Sequence, residues 1–586
     1  MKETKRKNTS LFAKLKNYSE SDYYAFHMPG HKRNLDLMQG TSPYRIDITE
    51  IDGFDDLHHA EGILKEAQER AARVYHADET HFLVNGSTVG ILSAIMGTTK
   101  KGDSILVARN CHKSVYHAIY LNELDPVYLF PKFDTELGLS TEIDVEDVKE
   151  ALRANPKIRA VMIVSPTYDG VVSDIEAIAA VCHEAGCPLI VDEAHGAHFG
   201  FHPYFPKSAN MYGADLVINS LHKTLPALTQ TALLHVNGNL VNRRKVKRYL
   251  DMLQTSSPSY ILMASIDACI HAVEKTQEKQ ETAGIEEQAQ EKQKMSGSEE
   301  KCNDREFERQ TSGMEDGNSG NELADTLLFE TYVNRIDALR NDLKQLQHLK
   351  IIQTDNIDHY DRSKFVISVK DAPLSSHELY EILLKKYHLQ MEMLAGTYVL
   401  AMTTVGDTEE GLKRLKEALF EIDTFISESD RECNKNNASM PDFVGKQPAL
   451  EKVWTIAEAV NIRDEYEFED NSEDEGTNIR VKMIKDTMQS GNVTEKSGTY
   501  AEKSCEDKGS KEMSLAKGHK AKVSFRKSIG HISLEYAYLY PPGSPLIVPG
   551  ERISEEAVEI LQWYQEHDFS IEGLQSEDGI EVWIDG

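Results

Sequence analysis

Six short apolar runs between residues 60 and 270 constrain this chain more than any other feature. They are SILVA (Ser104 to Ala108), PVYLF (Pro126 to Phe130), AVMIVS (Ala160 to Ser165), PLIVDE (Pro188 to Glu193), DLVINS (Asp215 to Ser220) and TALLHV (Thr231 to Val236). Helix-like amphipathic stretches separate them. A strand that is apolar along its whole length must be covered on both faces. The alternation therefore predicts an α/β unit with a largely parallel sheet between helical layers. In such sheets ligands bind at the carboxyl ends of the strands, so the residues that follow each run carry the functional argument.

The run Asp215 to Ser220 leads through Leu221 and His222 into Lys223. A lysine just past a buried strand packs poorly, but it suits an amine that forms a Schiff base with a carbonyl cofactor. Beside it, Ser220 and His222 offer a hydroxyl and an imidazole to a phosphate. In FLVNGSTVGILSAIMG (Phe82 to Gly97) a strand end passes through Asn85, Gly86, Ser87 and Thr88 into a helix. Free amides and two hydroxyls at such a terminus make an anion site, although the same residues also serve as a simple cap. His112, in ARNCHKSVYHA (Ala108 to Ala118), opens a helix after another strand, where it either stacks on a flat ring or caps the helix. SPTYDGVVSDI (Ser165 to Ile175) forms a plain loop or one wall of a pocket.

Asp192 ends a wholly apolar run, where an unpaired carboxylate is costly. A protonated pyridine nitrogen is a suitable partner, and the pairing keeps that ring electron-withdrawing. Ala194 is small enough to let a ring lie close, and His195 lies within reach of a ring hydroxyl. A metal site built from Asp192, Glu193, His195, His198 and His202 competes with this reading. It needs a helix that Gly196, Gly200 and Pro203 oppose, and the chain has neither HExxH nor a paired CxxC, so no metal is expected.

A length of 586 residues exceeds one ordinary core and predicts two or three units. Residues 1–59 read as an N-terminal segment and 60–274 as the large domain. Residues 275–324 are polar and poor in aliphatics, and are expected to be a disordered or loosely helical insertion. A small α+β domain is expected over 325–428, with the strands FVISV (Phe365 to Val369) and TYVLAMTT (Thr397 to Thr404) and helices over Ser376 to His388 and Thr408 to Glu428. Residues 429–522 turn polar again, with acids at Asp464, Glu465, Glu467, Glu469, Asp470, Glu473, Asp474 and Glu475 that suit a solvated spacer or a regulatory docking segment. Within them, Ala449 to Val460 is expected to form one helix. Order returns over 523–586 as a separate C-terminal domain, where YLYPPGSPLIVPGE (Tyr538 to Glu551) predicts an extended, turn-rich path.

A formal charge of -31 argues against nucleic acid as a main partner, since a polyanion would be repelled. No apolar run approaches the ~18 residues of a membrane span, and the basic N-terminus lacks the apolar region of a secretory signal. The seven scattered cysteines (Cys111, Cys182, Cys187, Cys269, Cys302, Cys433 and Cys505) suit free thiols in a reducing, cytoplasmic setting.

In order, the motifs HMPGHKR (His27 to Arg33), DITEIDGFDDL (Asp47 to Leu57), EGILKEAQERAARVY (Glu61 to Tyr75), VNGSTVG (Val84 to Gly90), RNCHKSVYHA, SPTYDGVVSDI, VDEAHGAHFGFHP (Val191 to Pro203) and SLHKTLPALTQTA (Ser220 to Ala232) resemble the Orn/Lys/Arg decarboxylase family. These are fold type I, pyridoxal 5′-phosphate-dependent enzymes with a PLP-dependent transferase-like large domain. The chain is similar to their shorter form without an N-terminal wing domain, and most like the arginine decarboxylases. YPPGSPLIVPGE resembles the family's C-terminal domain. The likeness covers residues ~10–270, ~325–425 and ~523–586, and the two polar insertions depart from the family's pattern.

The resemblance implies that Lys223 holds pyridoxal phosphate as a Schiff base, that Asp192 pairs with the ring nitrogen, and that His112 stacks on one ring face while Ala194 packs on the other. It also implies that Ser87, Thr88, Ser220 and His222 bind the phosphate and that His195 approaches the ring hydroxyl. The implied reaction is α-decarboxylation of a small basic amino acid, with arginine first and lysine and ornithine after it, feeding polyamine synthesis. A homodimer or higher homo-oligomer is implied because sites in this superfamily lie at subunit interfaces. Glu50, Asp52, Asp55, Asp56 and Glu392 are candidates for an anionic wall facing the substrate's cationic end, or else form a solvated acidic face. A fold type I aminotransferase is one alternative, and it would usually offer an arginine for the α-carboxylate near the C-terminal domain. A regulatory pseudoenzyme of the same fold is the other, and it would be expected to have lost Lys223 or Asp192.

Overall fold

The computed structural model of the protein describes residues 21–27, 32, 34, 43, 47–295, 329–352, 359–429, 441, 443–465, 518–539 and 543–585. They fall into two compact units, Met1–Gln447 and Pro448–Gly586.

The first unit is built around a seven-stranded sheet. In chain order its strands are β1 (Glu79–Leu83), β2 (Ser104–Ala108), β3 (Asp125–Leu129), β4 (Ile158–Val164), β5 (Leu189–Asp192), β6 (Leu216–Asn219) and β7 (Ala232–Val236). In space they run β1-β7-β6-β5-β4-β2-β3. All six apolar runs become strands whose ends differ from the sequence expectation by no more than two residues. Five strands are parallel neighbours, while β7 is antiparallel to both β1 and β6. Two antiparallel pairings in succession restore direction, so β1 points the same way as β6. The carboxyl ends of β1, β2, β4, β5 and β6 therefore share one edge of the sheet, and each candidate motif leaves from that edge.

Helices cover this sheet because its strands are buried along their length: β2, β5, β6 and β7 have every residue buried. The helix Gly86–Thr98 lies so close to the helix Arg243–Leu253 that a Cβ on Gly97 would stand 2.6 Å from Val246 Cγ2 and 3.0 Å from its Cα. Because the obstacle includes backbone, Gly97→Ala is expected to destabilise this unit by about 1–3 kcal/mol through overpacking. Urea unfolding measures that loss, and an unchanged midpoint would refute the close packing.

The expected small α+β region contains a four-stranded sheet ordered Lys350–Ile351, Lys364–Ser368, Tyr398–Met402 and Met393–Leu394. The helices Phe329–Leu343, Ser376–Lys385 and Glu409–Ser429 accompany it. The strand Tyr24–Phe26 pairs in parallel with Leu389–Met391, tying the N-terminal segment to this region. Phe199, Phe205, Leu221 and Tyr260 share one apolar core with Tyr332, Phe365, Leu389 and Leu415. The regions expected as large and small domains are therefore fused through side-chain packing into a single unit.

Two boundaries need correction. The helix Tyr260–Met295 runs straight through the break expected at 274/275, as the loosely helical alternative for 275–324 allows, since its Glu, Gln, Lys and Ala residues are good helix formers. The remainder of the 275–324 stretch lies outside the described residues. The C-terminal unit begins at Pro448, well before the expected 523. Glu451–Lys452 pairs with Glu551–Arg552, and Ala459 and Ile462 bury against Ile532, Leu534 and Trp583. The single helix expected over Ala449 to Val460 is instead a short strand followed by the helix Ile456–Glu465. A reciprocal cap fixes its start: the Glu458 amide donates to Thr455 Oγ1, and the Thr455 amide donates to Glu458 Oε2. Asp464 and Glu465 end that helix, and the other acids of the cluster lie outside the described residues. Within the stretch Tyr538 to Glu551, the strands Ala537–Leu539 and Ser544–Ile547 pair antiparallel, and residues 540–542 between them lie outside the described residues. Among the described residues, no helix is long and apolar enough to cross a membrane.

Candidate active site

At the carboxyl edge, β6 ends at Asn219 and the chain enters a short helical turn, Leu221–Thr224, that carries Lys223. Lys223 Nζ comes to 3.0 Å from Nε2 of His195, which follows β5 by three residues. Burial lowers the pKa of Lys223 below the ordinary lysine value, with Asp192 and Glu392 opposing the shift. Asp192 closes β5 and is only 4% exposed. Burial raises its carboxyl, and Lys223 partly offsets that rise. Its Oδ1 accepts from the Ala194 amide at 3.1 Å, which turns the chain away from the strand and fixes the carboxylate's direction.

His112 caps the helix Lys113–Leu121: its Nδ1 accepts from the Ser114 amide at 3.2 Å and lies 2.9 Å from Ser114 Oγ. With Nδ1 accepting, the proton sits on Nε2. Burial, followed by the charge of Lys223, lowers the ring to about 3, so it is a neutral flat surface at neutral pH. The capping and stacking readings are therefore compatible, since the cap uses one nitrogen and leaves the ring faces to packing.

The turn before the helix Gly86–Thr98 depends on Gly86, whose φ of +73° lies in the left-handed region. Its amide donates to the Gln230 carbonyl at 3.0 Å, and the Gln230 side chain donates back to the Val84 carbonyl. The first-turn amides after Gly86 have no carbonyl one turn earlier to meet, the state in which helix termini attract anions. Ser87 is half-buried and Thr88 is exposed. Across the edge, Ser220 is fully buried and its Oγ has no hydrogen-bond partner among the described residues. His222 Nδ1–H donates to the Thr231 carbonyl at 2.8 Å, leaving Nε2 as a lone pair. Burial brings this ring down to about 4, so His222 offers no second N–H at neutral pH.

The histidines weighed as metal ligands go separate ways. His195 meets Lys223, while His198 Nε2–H donates to Asp361 at 3.1 Å and His202 Nε2 lies 2.8 Å from Glu330. Glu193 accepts from Ser208, Ala209 and Asn219, and burial raises it to about 7. Among the described residues, no group of three or more ligating side chains converges on a point.

The acidic wall also divides. Asp55 accepts from the amides of Glu61, Gly62 and Leu64 and holds the entry to the helix Ile63–Val74, while Asp56 accepts from that of His58 and caps the short 3-10 turn Leu57–His59. Glu50 and Asp52 are exposed. Glu392 alone reaches the centre: it accepts from the Tyr168 hydroxyl and favours the charged forms of Lys32, Lys223 and Lys364.

Sequence reading passed over Lys364 and Asp361. Lys364 opens an apolar strand as Lys223 follows one, and a lysine flush against an apolar run was the one signal available. Its Nζ lies 3.4 Å from Nδ1 of His195. Lys32, in the HMPGHKR segment, donates to the carbonyls of His27 and Met402 at 3.0 and 2.7 Å. Residues 28–31 and 33 of that segment lie outside the described residues.

A family model described as Orn/Lys/Arg decarboxylase, major domain, matches residues 9–312, and the corresponding C-terminal domain model matches 503–582. An uncharacterized protein of Bacillus subtilis, YaaO, is 44% identical over 285 residues, 47% of the chain and 59% of that protein, so this match spans less than two thirds of its length. An arginine decarboxylase of Bacillus cereus is 32% identical over 435 residues, 72% of the chain and 84% of that protein. In fold, the chain is similar to the crystal structure of a Francisella novicida lysine decarboxylase, with a TM-score of 0.65 at 17% identity over 99% of this chain and 81% of that one.

Proposed function

The chain belongs to the Orn/Lys/Arg decarboxylase family of pyridoxal 5′-phosphate enzymes, and on that premise we propose that it removes the α-carboxylate of arginine to give agmatine, a polyamine precursor. Lysine and ornithine follow as substrates. The observation that carries this reading is the convergence of Lys223, His195 and Asp192 at one strand edge, with His195 and Asp192 buried and Lys223 half-buried.

The residues present fit the cofactor on three counts. The buried Ser220 hydroxyl lacks a partner among the described residues and suits a phosphate oxygen. Asp192 accepts from one amide among the described residues and retains acceptor capacity for a protonated ring nitrogen. His112 is held neutral by burial, as stacking on a ring requires. When bound, pyridoxal phosphate supplies an electron-withdrawing ring that takes up the electron pair left by the departing carboxylate.

The chain's own groups do the rest. Lys223 provides the attaching amine, Asp192 keeps the ring nitrogen protonated, and His112 and Ala194 confine the ring between them. His195 meets the ring hydroxyl, and Ser87, Thr88 and Ser220 hold the phosphate. His222 joins them through its lone pair only if a phosphate proton is donated to it, since its other nitrogen is committed to Thr231. The carboxylate leaves as CO₂ and one proton takes its place on Cα.

A homodimer and a cytoplasmic location accompany this reading. The dimer is supported by Ile51, Phe54, Ile63 and Met252, which are 47–63% exposed. They lie along the segment 51–63 and the end of the helix Arg243–Leu253, where Asp251 meets His58 at 3.2 Å.

Protein loaded with pyridoxal phosphate is expected to absorb near ~420 nm and to lose that band with borohydride, as a lysine Schiff base does. It should then release CO₂ fastest from arginine when compared with lysine and ornithine. Protein that takes up no cofactor would refute the reading, and keto-acid formation from an amino acid without CO₂ would assign an aminotransferase instead.

A further inference from the structure

His195 stands between two lysines. Its Nε2 is 3.0 Å from Lys223 Nζ and its Nδ1 is 3.4 Å from Lys364 Nζ. The ring is 5% exposed and Lys364 is fully buried, so water does not separate them. Burial first, and then the two lysines, depress the imidazole well below its ordinary value, so it is neutral. A neutral imidazole has one N–H and one lone pair. It can accept from only one ammonium and must donate to the other amine, so the two lysines cannot both be charged and both be satisfied by it.

The surrounding charges choose between the two arrangements. Facing Lys364 are Asp361 in its own turn, Asp169 from the loop after β4, Glu392 from the small sheet, and the cations Lys32 and Lys223. Asp361 stays ionised: burial would raise it, but the charge and hydrogen bond of His198 hold it at about 2. Asp192, the anion acting first on Lys223, is itself raised by burial. The firmer counter-charge is therefore on the Lys364 side, and Glu392 acts on both lysines. Burial brings Lys364 to about 8, which leaves it mainly protonated at neutral pH. Its stem is also pinned, since a Cβ on Gly170, at φ +104°, would stand 2.9 Å from Lys364 Cγ.

We propose that Lys364 is a positioning residue: as an ammonium it donates to Nδ1 of His195, fixes the Nε2–H tautomer, and so directs an N–H at Lys223 that holds it as a free amine. This deepens the proposed function and rests on Lys223 being the lysine that attacks the cofactor aldehyde. The arrangement gains and loses no proton; one ammonium, one imidazole and one amine are accounted for.

The test uses the full-length protein freed of cofactor, with trace reductive methylation by formaldehyde and cyanoborohydride followed at Lys223 by peptide mass spectrometry across pH. Only the unprotonated amine reacts. In the wild type the Lys223 midpoint is expected well below the ordinary lysine value of about 10.4. Lys364→Met lets the ring turn a lone pair to Lys223, and the midpoint is expected to rise by about one unit, a roughly tenfold loss of labelling at neutral pH. Lys364→Arg keeps the cationic donor and should restore the wild-type midpoint.

An unchanged midpoint in Lys364→Met that retains native circular dichroism would overturn the proposal. So would an ordinary midpoint in the wild type, a result that needs no variant to fold. Neither measurement uses pyridoxal phosphate or substrate, so failure of the functional reading, seen as no cofactor uptake, is separate from failure of this one.

Discussion

Lys223→Ala is expected to abolish CO₂ release, by about 10⁴-fold or more, and to leave any bound pyridoxal phosphate unreducible by borohydride. Removing a covalent nucleophile costs on this scale because no neighbour takes over the bond. Lys364 and Lys32 are buried lysines in the same cluster, but His195 and the backbone engage them. The magnitude comes from the loss of the attaching amine, while binding of the phosphate should persist through Ser220 and the turn after β1. Dialysis separates the two outcomes, with the cofactor retained by the wild type and slowly lost by the variant. A variant that keeps a borohydride-sensitive band would place the attachment on another lysine.

Asp192→Asn is the second large effect, expected to lower turnover by about 10²–10³-fold, the scale of removing one preorganised electrostatic partner. The substitution keeps shape, and the Ala194 amide at 3.1 Å can still find a side-chain oxygen. What it removes is the charge. Taking that charge away from a site 4% exposed relieves a burial cost, so the variant should unfold at the same denaturant concentration as wild type or a higher one. Turnover and urea unfolding measured together check both halves. Full activity in the variant would show that the ring nitrogen needs no anionic partner here.

The parts of this protein that follow from local spacing were readable in advance. Six apolar runs became strands because an all-apolar stretch of that length has few alternatives once helices flank it. The placement of Lys223, Asp192 and His112 at a common edge follows from parallel strands, and Ser87 joins them because two antiparallel pairings through β7 restore the direction of β1. One local signal was present and passed over: Thr455 followed three residues later by Glu458, which starts a helix later than apolar content alone implied.

The electrostatic wiring was not readable. Glu392, expected to face the substrate's cation, is shared by three lysines and the Tyr168 hydroxyl. Asp55 and Asp56, expected beside it, are consumed in capping. His222 donates its only neutral N–H to Thr231, which changes what it can give a phosphate.

The sequence by itself determined the sheet, the edge on which chemistry sits and the residue types gathered there, since these depend on periodicities of two to four residues. Only the tertiary structure decided which charges meet. Lys364 reaches His195 across 169 residues of chain, and Tyr168 reaches Glu392 across 224. Whether such groups share a proton depends on where the chain crosses itself and how much water it excludes there, and no local pattern records either.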